Sequence, residues 1–437
     1  MAADGPAVAV PPALAKILHD VAIRHGFQKP RLDAEPGSGA RDGYSSTVYR
    51  VKVTDESDSA DMKSLSLICK TSMPLFGDVM TKMYEIEAYS YDKLLPQLES
   101  IAKLTDSLPW PRCVHADVQG PPPHTIVLVD MRPERFAMAD RSKFMDAEHC
   151  RLAMKQLARF HGAGLALKHR KPGTFDEFKK VLDMNIWDTA ELRANQKPWT
   201  EQSMVIPDML KAKYPEGSDV HSRLKKIFEA NRRDWISLMG PLDGPGYTFI
   251  HNDLHVNNMM FQYDKSSGAV TDCRIIDFQM SIYGPPARDV ATVLMVCTDK
   301  PMRDKHWTSL LQTYHEEVLT TLKAAGCEDP ESLFSWAMLQ NQMKLVSTYA
   351  LCMSTMYYYA LFADDETIRN FRELIAKISD GTDSNARMEL SPNQLAHLEG
   401  LVEDLLDWGY LPTIAELEKQ LAAYSLEKNA LGQNETK

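Results

Sequence analysis

The residues best suited to chemistry lie in one short segment, His251-Asn-Asp-Leu-His-Val-Asn-Asn258. Directly after a predicted strand, this segment supplies a carboxylate, Asp253, and then an amide, Asn258. A second carboxylate, Asp277, follows in the segment Arg274-Ile-Ile-Asp-Phe-Gln279. Mg²⁺ prefers hard oxygen ligands and takes few of them from protein when phosphate and water complete its octahedron. Two carboxylates and one amide oxygen beside short strands therefore suit a magnesium site.

Phosphoryl transfer also needs a carboxylate that orients and deprotonates the attacking hydroxyl, and a lysine that holds the phosphates. Lys70 ends the predicted strand 65–70 and can be that lysine. In the predicted helix 78–95, Glu87 falls in the middle of the apolar stripe, whereas Glu85 falls on the opposite face. Because a carboxylate on a buried face needs a cationic partner, we expect Glu87 to pair with Lys70.

The elements that must position these residues form a β-rich part followed by a helical part. An amphipathic helix is predicted at 12–27, and strands at 47–54, 65–70 and 125–129. Long helices are predicted at 146–168, 174–184, 200–213, 218–239 and from 289 onward, interrupted by strands at 247–251, 259–263 and 274–278. The predicted fold class is α+β, with a small β-rich N-terminal lobe at 1–130 and a large, mainly helical C-terminal lobe at 131–437.

The composition disfavours several classes of protein. With 49 Lys+Arg against 60 Asp+Glu, the net charge of −11 disfavours a nucleic-acid or anionic-membrane binder. Seven cysteines without a CxxC motif favour free thiols in a reducing compartment. The uncharged stretch 345–363 contains Ser, Thr and Tyr, which favours a core helix over a membrane span. We expect a cytoplasmic protein without a signal peptide, and its oligomeric state stays open.

The motifs and their order resemble the ecdysteroid-kinase-like (CHK-kinase-like) family of the protein-kinase-like and aminoglycoside phosphotransferase superfamily. The resemblance rests on four segments: Phe249–Phe261, Arg274–Val290, Leu157–His161 and Glu87–Pro96. It implies a bilobal protein-kinase-like fold and a kinase that uses ATP and Mg²⁺ to phosphorylate a hydroxyl group of a small molecule. The chain lacks an Ala-Pro-Glu segment and an activation-loop-like insert, which argues against a protein acceptor.

The resemblance also assigns roles to the residues singled out above. It implies that Asp253 is the catalytic base and that Asn258, in the same catalytic loop, is a metal ligand. Asp277 resembles the principal Mg²⁺ ligand of the family. Lys70 resembles the lysine that holds the α- and β-phosphates, and Glu87 resembles its ion-pair partner.

Further nucleotide contacts are expected in the N-terminal lobe. A turn-rich Gly/Ser loop between strands ends at Ser45 and Ser46, which we predict to contact the nucleotide. The connector Val129, Asp130 and Met131 would grip adenine with backbone groups. Val129 departs from the family pattern, which usually has a glutamate at this position.

Other residues of the motifs are expected to support the site. Asp289 resembles the buried acid that braces the catalytic loop, and His251 is expected to pack within that loop. His255 stands where the family commonly has an aromatic residue such as Trp, which bears on the acceptor side. Gln279 replaces the glycine of protein kinases, so a flipping Asp-Phe-Gly switch is not expected.

The acceptor remains open at this level. We favour an apolar alcohol such as an ecdysteroid-like sterol, and the Met/Tyr-rich predicted helix 336–362 either walls its pocket or is only core. The alternatives are a choline-, ethanolamine- or aminoglycoside-type kinase, whose cationic acceptor would want an acidic or aromatic cage. A non-catalytic nucleotide-binding scaffold is a further alternative.

Overall fold

The computed structural model describes residues 8–37, 46–57, 63–72, 78–104, 108–117, 124–140, 143–183, 188–361 and 389–434, together with 366, 369 and 373. The chain forms two compact units. The first unit comprises residues 1–100, 104–137 and 260–281, and the second comprises 101–103, 138–259 and 282–437. Residues 260–281 thus belong with the first unit, although they lie inside the predicted C-terminal lobe. The division into lobes at residue 130 stays a prediction.

A five-stranded antiparallel sheet is the centre of the first unit. Its strands are β1 (Pro30–Pro36), β2 (Ser46–Asp55), β3 (Ser64–Ser72), β4 (Cys113–Asp117) and β5 (Thr125–Val129). The strand order is β1-β2-β3-β5-β4, so that β3 lies in the middle. The predicted strands correspond to β2, β3 and β5. The strand β1 was not predicted, because it has a proline at each end and lies at the sheet edge, where proline is tolerated.

The first helix, α1 (Pro12–Arg24), packs on this sheet as its apolar stripe predicted. Leu14, Leu18, Val21 and Ala22 are buried against alternate residues of the strands, namely Val51, Val53, Leu67, Cys69 and Val127. The helix buries one face at a period of 3.6 residues and each strand buries every second residue. Lys70 therefore extends from a strand that is fixed from both neighbours and from one face.

The helix predicted at 78–95 is interrupted by a π-helical turn and continues to residue 102. It consists of α2 (Asp78–Tyr89), a π-helical turn (Ser90–Leu94) and α3 (Leu95–Ala102). Pro96 has no N–H group and cannot donate the regular i to i−4 bond, which favours a wider turn just before it. The segment that carries Glu87 lies before this interruption and keeps regular α-helical geometry.

Two small sheets hold the remaining strands. The strands β6 (Phe136–Met138), β8 (Met259–Tyr263) and β9 (Val270–Ile275) form one sheet in the order β6-β8-β9. The strand β7 (Thr248–Ile250) pairs with β10 (Ile282–Gly284) in an antiparallel ribbon of the second unit. The strand predicted at 274–278 ends at Ile275, so Asp277 lies in the loop that follows it.

The second unit is mainly helical. Its helices are α4 (Ala147–Arg170), α5 (Pro172–Val181), α6 (Ala190–Gln202), α7 (Ile206–Met209), α8 (Asp219–Asp234), α9 (Ala287–Ala291), α10 (Lys300–Ala324), α11 (Pro330–Leu333), α12 (Trp336–Leu361), α13 (Pro392–Asp407) and α14 (Ile414–Asn434). The helix predicted at 200–213 is replaced by the end of α6 and by short turns, with Pro207 opening α7. In α12 the described side chains from Val346 to Cys352 are all buried.

The predicted fold class is confirmed: a small antiparallel sheet region precedes a largely helical region. Each of the seven cysteines lies in the described ranges and is a free thiol. Among the described helices, none combines the length and the apolarity that crossing a bilayer would require.

Candidate active site

In the first unit, the side chains of Glu87 and Asp277 both contact Lys70, and we call these three residues the charge cluster. The Lys70 ammonium donates to both carboxylate oxygens of Glu87, at 2.7 Å and 2.6 Å. It also donates to Oδ1 of Asp277 at 3.1 Å. The predicted contact between Lys70 and Glu87 is therefore present, and the residue 207 positions later in the chain joins it.

The charge cluster is held by the sheet and by α2. Lys70 pairs with Val48 on one side and with Ile126 on the other, so its backbone is fixed in the middle of the sheet. The phenol of Tyr84, one turn before Glu87 in α2, donates to the Lys70 carbonyl at 2.5 Å. This bond fixes the helix against the strand, and the glutamate faces the lysine as a result.

Burial makes the charges of this cluster interdependent. The Glu87 side chain is 1% exposed and the Lys70 side chain is 13% exposed. Burial lowers the pKa of Lys70, but the charges of Asp277 and Glu87 outweigh that effect and hold the pKa above its ordinary value. Burial raises the pKa of Glu87 against the opposing pull of Lys70. Because both Glu87 oxygens contact an ammonium, we treat the pair as ionised.

Asp277 has a backbone conformation that L-residues seldom adopt. Its φ is 68° and its ψ is 63°, which is the left-handed region. The next residue, Phe278, is buried edge-on against Tyr91 at 5.6 Å and Trp110 at 6.3 Å between ring centroids. The packing of Phe278 offsets the backbone strain at Asp277, and backbone strain of this kind clusters at functional sites. In this conformation the carboxylate of Asp277 faces Lys70.

In the second unit, Asp289 holds the loop that begins at His251. Its two carboxylate oxygens accept the N–H groups of His251 at 2.7 Å and Asn252 at 2.8 Å. The His161 ring lies 3.2 Å from the same carboxylate, and its other nitrogen lies 2.8 Å from the Tyr314 hydroxyl. Burial would raise the pKa of Asp289, but the hydrogen bonds from His161 and the loop keep it below its ordinary value.

A buried arginine holds the residue before Asp253. Asn252 has a φ of 66°, and its side-chain oxygen accepts a hydrogen bond from Arg288 at 3.0 Å. Arg288 also donates to the carbonyl of Met239 at 2.7 Å and lies over the ring of Tyr349. Among the described residues, no carboxylate lies within salt-bridge distance of this fully buried guanidinium. Its charge is used to fix the loop conformation at Asn252.

Asp253 accepts hydrogen bonds at both carboxylate oxygens. The amide nitrogen of Asn258 donates to the Asp253 carbonyl at 2.7 Å and to Oδ2 at 3.2 Å. The phenol of Tyr357, on α12, donates to Oδ1 at 2.5 Å. Both of these bonds use the amide nitrogen of Asn258, and its amide oxygen takes part in neither of them. We call Asn252, Asp253, Asn258, Asp289 and Tyr357 the loop cluster.

The structure gives the positions of most of the remaining residues that are predicted to contact the nucleotide. Ser45 lies outside the described residues, and Ser46 is buried at the start of β2. The backbone N–H groups of Val129 and Asp130 already have partners in the protein. That of Val129 donates to the carbonyl of Arg112 at 2.8 Å, and that of Asp130 donates to the carbonyl of Ser66 at 2.9 Å. A nucleotide contact at this connector would therefore use its other backbone groups.

The side chains of the connector and its neighbourhood also have protein partners. The carboxylate of Asp130 is bound by Arg132 at 2.7 Å. Met131 is buried, and its carbonyl accepts two N–H groups, from Glu134 and Phe136. The grip of Val129, Asp130 and Met131 on adenine stays a prediction.

Asp277 in the first unit and Asn258 in the second unit each carry an oxygen of the hard type that magnesium binds. Within the described ranges, no three His, Cys, Asp or Glu side chains gather as a metal cluster. Asp277 and Asn258 each offer one hard oxygen that is not used in the bonds above, since Lys70 takes Oδ1 of Asp277 and Asn258 donates through its nitrogen. Few protein ligands are typical of Mg²⁺ that is carried on phosphates, whereas zinc or structural calcium needs more.

Sequence reasoning missed two members of this architecture. The sequence places Tyr357 only within the Met/Tyr-rich helix 336–362, as part of a pocket wall or of the core, and its bond to Asp253 spans 104 residues. Arg288 lay inside the motif 274–290, but its position beside Asp289 gave no sign that it contacts Asn252. A buried arginine without an acidic partner becomes visible only when the packing is known.

The sequence matches a known protein family. A model of the ecdysteroid kinase-like family matches residues 40–327, and no curated protein matches the sequence significantly. Among solved structures, an aminoglycoside phosphotransferase from Alicyclobacillus acidocaldarius is similar at 13% identity and a TM-score of 0.40, covering 96% of this chain and 99% of its own. The GDP complex of wild-type aminoglycoside 2'-phosphotransferase-IIIa is similar at 13% identity and a TM-score of 0.37, covering 84% and 99%.

Proposed function

The chain belongs to the ecdysteroid kinase-like family, and from this premise we propose that it transfers the γ-phosphoryl group of ATP to a hydroxyl of an apolar acceptor such as an ecdysteroid-like sterol. It is a phosphotransferase with an alcohol group as acceptor. The finer points, namely ATP as the donor, Mg²⁺ as the metal and a sterol-like acceptor, are the proposal.

The observation that carries the proposal is the charge cluster. A buried lysine held by Glu87 and Asp277 presents a fixed positive charge whose pKa lies above its ordinary value. Such a preorganised ammonium stabilises phosphate oxygens without rearrangement during the reaction. We assign Lys70 to the α- and β-phosphates and Glu87 to the orientation of Lys70.

Asp277 and Asn258 would hold Mg²⁺, which when bound neutralises charge on the phosphates. Asp253 would accept the proton of the acceptor hydroxyl as that oxygen attacks the γ-phosphorus. Asp289 and Arg288 keep the loop in the conformation that presents Asp253. Proton acceptance by a positioned carboxylate contributes roughly 10²- to 10⁴-fold to a rate.

The acceptor class is tested by a substrate panel. ADP formation is measured with purified protein, Mg²⁺ and ATP in the presence of ecdysteroid-like sterol alcohols, choline, ethanolamine or an aminoglycoside. We expect turnover with a sterol alcohol and none with the three amines. Turnover with choline or an aminoglycoside alone would contradict the apolar acceptor and leave the kinase assignment in place.

The non-catalytic alternative has a different signature. A scaffold that binds ATP without transfer would show an ATP-induced rise in melting temperature but no product with any acceptor. We expect the melting shift to require Mg²⁺ and turnover to stop in EDTA. The cytoplasmic location and the separation into lobes at residue 130 are part of the same proposal.

A further inference from the structure

The base proposed for the reaction already contacts a hydroxyl group of the protein itself. The phenol of Tyr357 donates to Oδ1 of Asp253 at 2.5 Å. The residue is 9% exposed, and the His255 ring packs against its ring at 5.3 Å between centroids. The Nε2 atom of His255 lies 3.7 Å from the same carboxylate oxygen. The phenol is thus seated on Asp253 with support from its neighbours.

This contact is of the kind that a general base makes with its substrate. An alcohol that is to be deprotonated must donate a short O–H···O⁻ bond to the carboxylate, and such charge-assisted bonds are among the strong ones. The other carboxylate oxygen, Oδ2, accepts from Asn258 at 3.2 Å. Both oxygens of Asp253 therefore have protein donors before any acceptor arrives.

We infer that Tyr357 is a specificity-determining residue, whose phenol takes the position of the acceptor hydroxyl on Asp253 and keeps water from being activated there. The inference rests on the proposed function of Asp253. An acceptor alcohol replaces the phenol, whereas water, which gains no apolar contacts, does not. The residue thereby selects against hydrolysis of ATP.

The position of Tyr357 on α12 explains why an apolar acceptor can displace it. Met353, about one turn before Tyr357 and on the same face of the helix, is partly exposed, whereas most of the neighbouring α12 side chains are buried. Contacts between an apolar acceptor and such side chains offset the loss of the phenol bond. Burial and the nearby charge of Asp253 raise the pKa of Tyr357, so the phenol keeps its proton and remains a donor at neutral pH.

The side reaction that Tyr357 suppresses is balanced as follows. The oxygen of water forms a bond to the γ-phosphorus of ATP, and the bond from that phosphorus to the β,γ-bridging oxygen breaks. Asp253 takes one proton from the water and releases it to solvent, leaving ADP and inorganic phosphate. The test needs no acceptor, because water and Mg²⁺·ATP are the only reactants.

The experiment compares ADP release from Mg²⁺·ATP without acceptor by the wild type, Tyr357→Phe and the control Tyr410→Phe. The control removes a tyrosine hydroxyl that donates to the side chain of Gln340 at 2.6 Å. Gln340 lies on α12, the helix that also carries Tyr357. We expect about a tenfold rise in ADP release for Tyr357→Phe, as loss of one hydrogen bond to a charged group implies, and no rise for Tyr410→Phe. Melting temperatures with and without ATP verify that each variant is folded.

The same rates are then measured in an Asp253→Asn background. The rise caused by Tyr357→Phe must vanish there, since the water would have no base. A rate for Tyr357→Phe that equals or falls below the wild-type rate, while Asp253→Asn still lowers both, overturns the inference and leaves the proposed function standing. Hydrolysis that Asp253→Asn leaves unchanged in both proteins contradicts the role of Asp253 itself, and with it the premise.

Discussion

The charge cluster and the loop cluster hold their central polar side chains in place by different interactions. In the first unit, Lys70 is fixed by ionic contacts to Glu87 and Asp277. In the second unit, Asp253 is fixed by hydrogen bonds from Asn258 and Tyr357. Charge pairs in a buried site set how strongly phosphate is attracted, whereas hydrogen bonds set the direction in which a carboxylate faces.

The difference predicts two kinds of failure. Damage to the charge cluster should weaken nucleotide binding and stability, because it leaves a buried charge without a partner. Loss of Asp253 from the loop cluster should lower turnover while nucleotide binding persists. The substitutions below separate these outcomes, from the largest expected effect to the smallest.

Asp253→Ala should lower turnover roughly 10³-fold, because the acceptor loses its proton acceptor. ATP binding, measured as the shift of melting temperature, should remain, since Lys70 and Asp277 are unchanged. Asp264→Ala is the matched control, a partly exposed aspartate whose carboxylate accepts the N–H groups of Ser266 and Ser267 in its own turn. Near-normal turnover of Asp253→Ala would refute the assignment of the base.

Lys70→Met should lower kcat/KM for ATP roughly 10²-fold, because a preorganised cation at the phosphates is lost. Lys52, an exposed residue of β2, supplies the control Lys52→Met, for which no change is expected. The measurement is steady-state kinetics with varied ATP. An equal effect of the two substitutions would show that the charge cluster has no special role.

Glu87→Gln should destabilise the protein by about 3 kcal/mol, since it breaks a buried ion pair. Glu85→Gln is the control two residues away: Glu85 pairs with Lys82 on an exposed surface, where such pairs contribute about 0.5 kcal/mol or less. Urea unfolding of both variants gives the two free energies. Similar small losses would contradict the burial of the Glu87–Lys70 pair.

Some of these contacts could be predicted from the sequence and others could not. The Lys70–Glu87 contact could be predicted because helix periodicity places Glu87, unlike Glu85, on the buried face. The bond between Tyr357 and Asp253 could not, because nothing local in α12 indicates which loop it meets. The same applies to Arg288, whose contact with Asn252 depends on packing between distant segments.

The pH dependence of stability tests the loop cluster through His161. Burial lowers the pKa of His161 below its ordinary value of 6.5 despite the pull of Asp289. Protons therefore bind the unfolded chain better, so this contribution to stability is complete above pH 6.5 and is lost as the pH falls below it. His161→Gln should make the decline of the unfolding free energy between pH 6.5 and 5 shallower.

The exposed His19 of α1 provides the control for that measurement. His19→Gln should leave the decline of the unfolding free energy with pH as steep as in the wild type. An equally steep decline in His161→Gln would show that the buried histidine does not contribute to the acid sensitivity of the protein.

Transfer of the phosphoryl group itself is the most direct test of the account. Protein, Mg²⁺ and ATP labelled with ¹⁸O on the γ-phosphate are incubated with a metabolite extract, and products are analysed by mass spectrometry. We predict a new phosphomonoester of a neutral, apolar alcohol that carries the label and is absent with Asp253→Ala. If ATP raises the melting temperature but no metabolite gains labelled phosphate, the protein is not the kinase proposed.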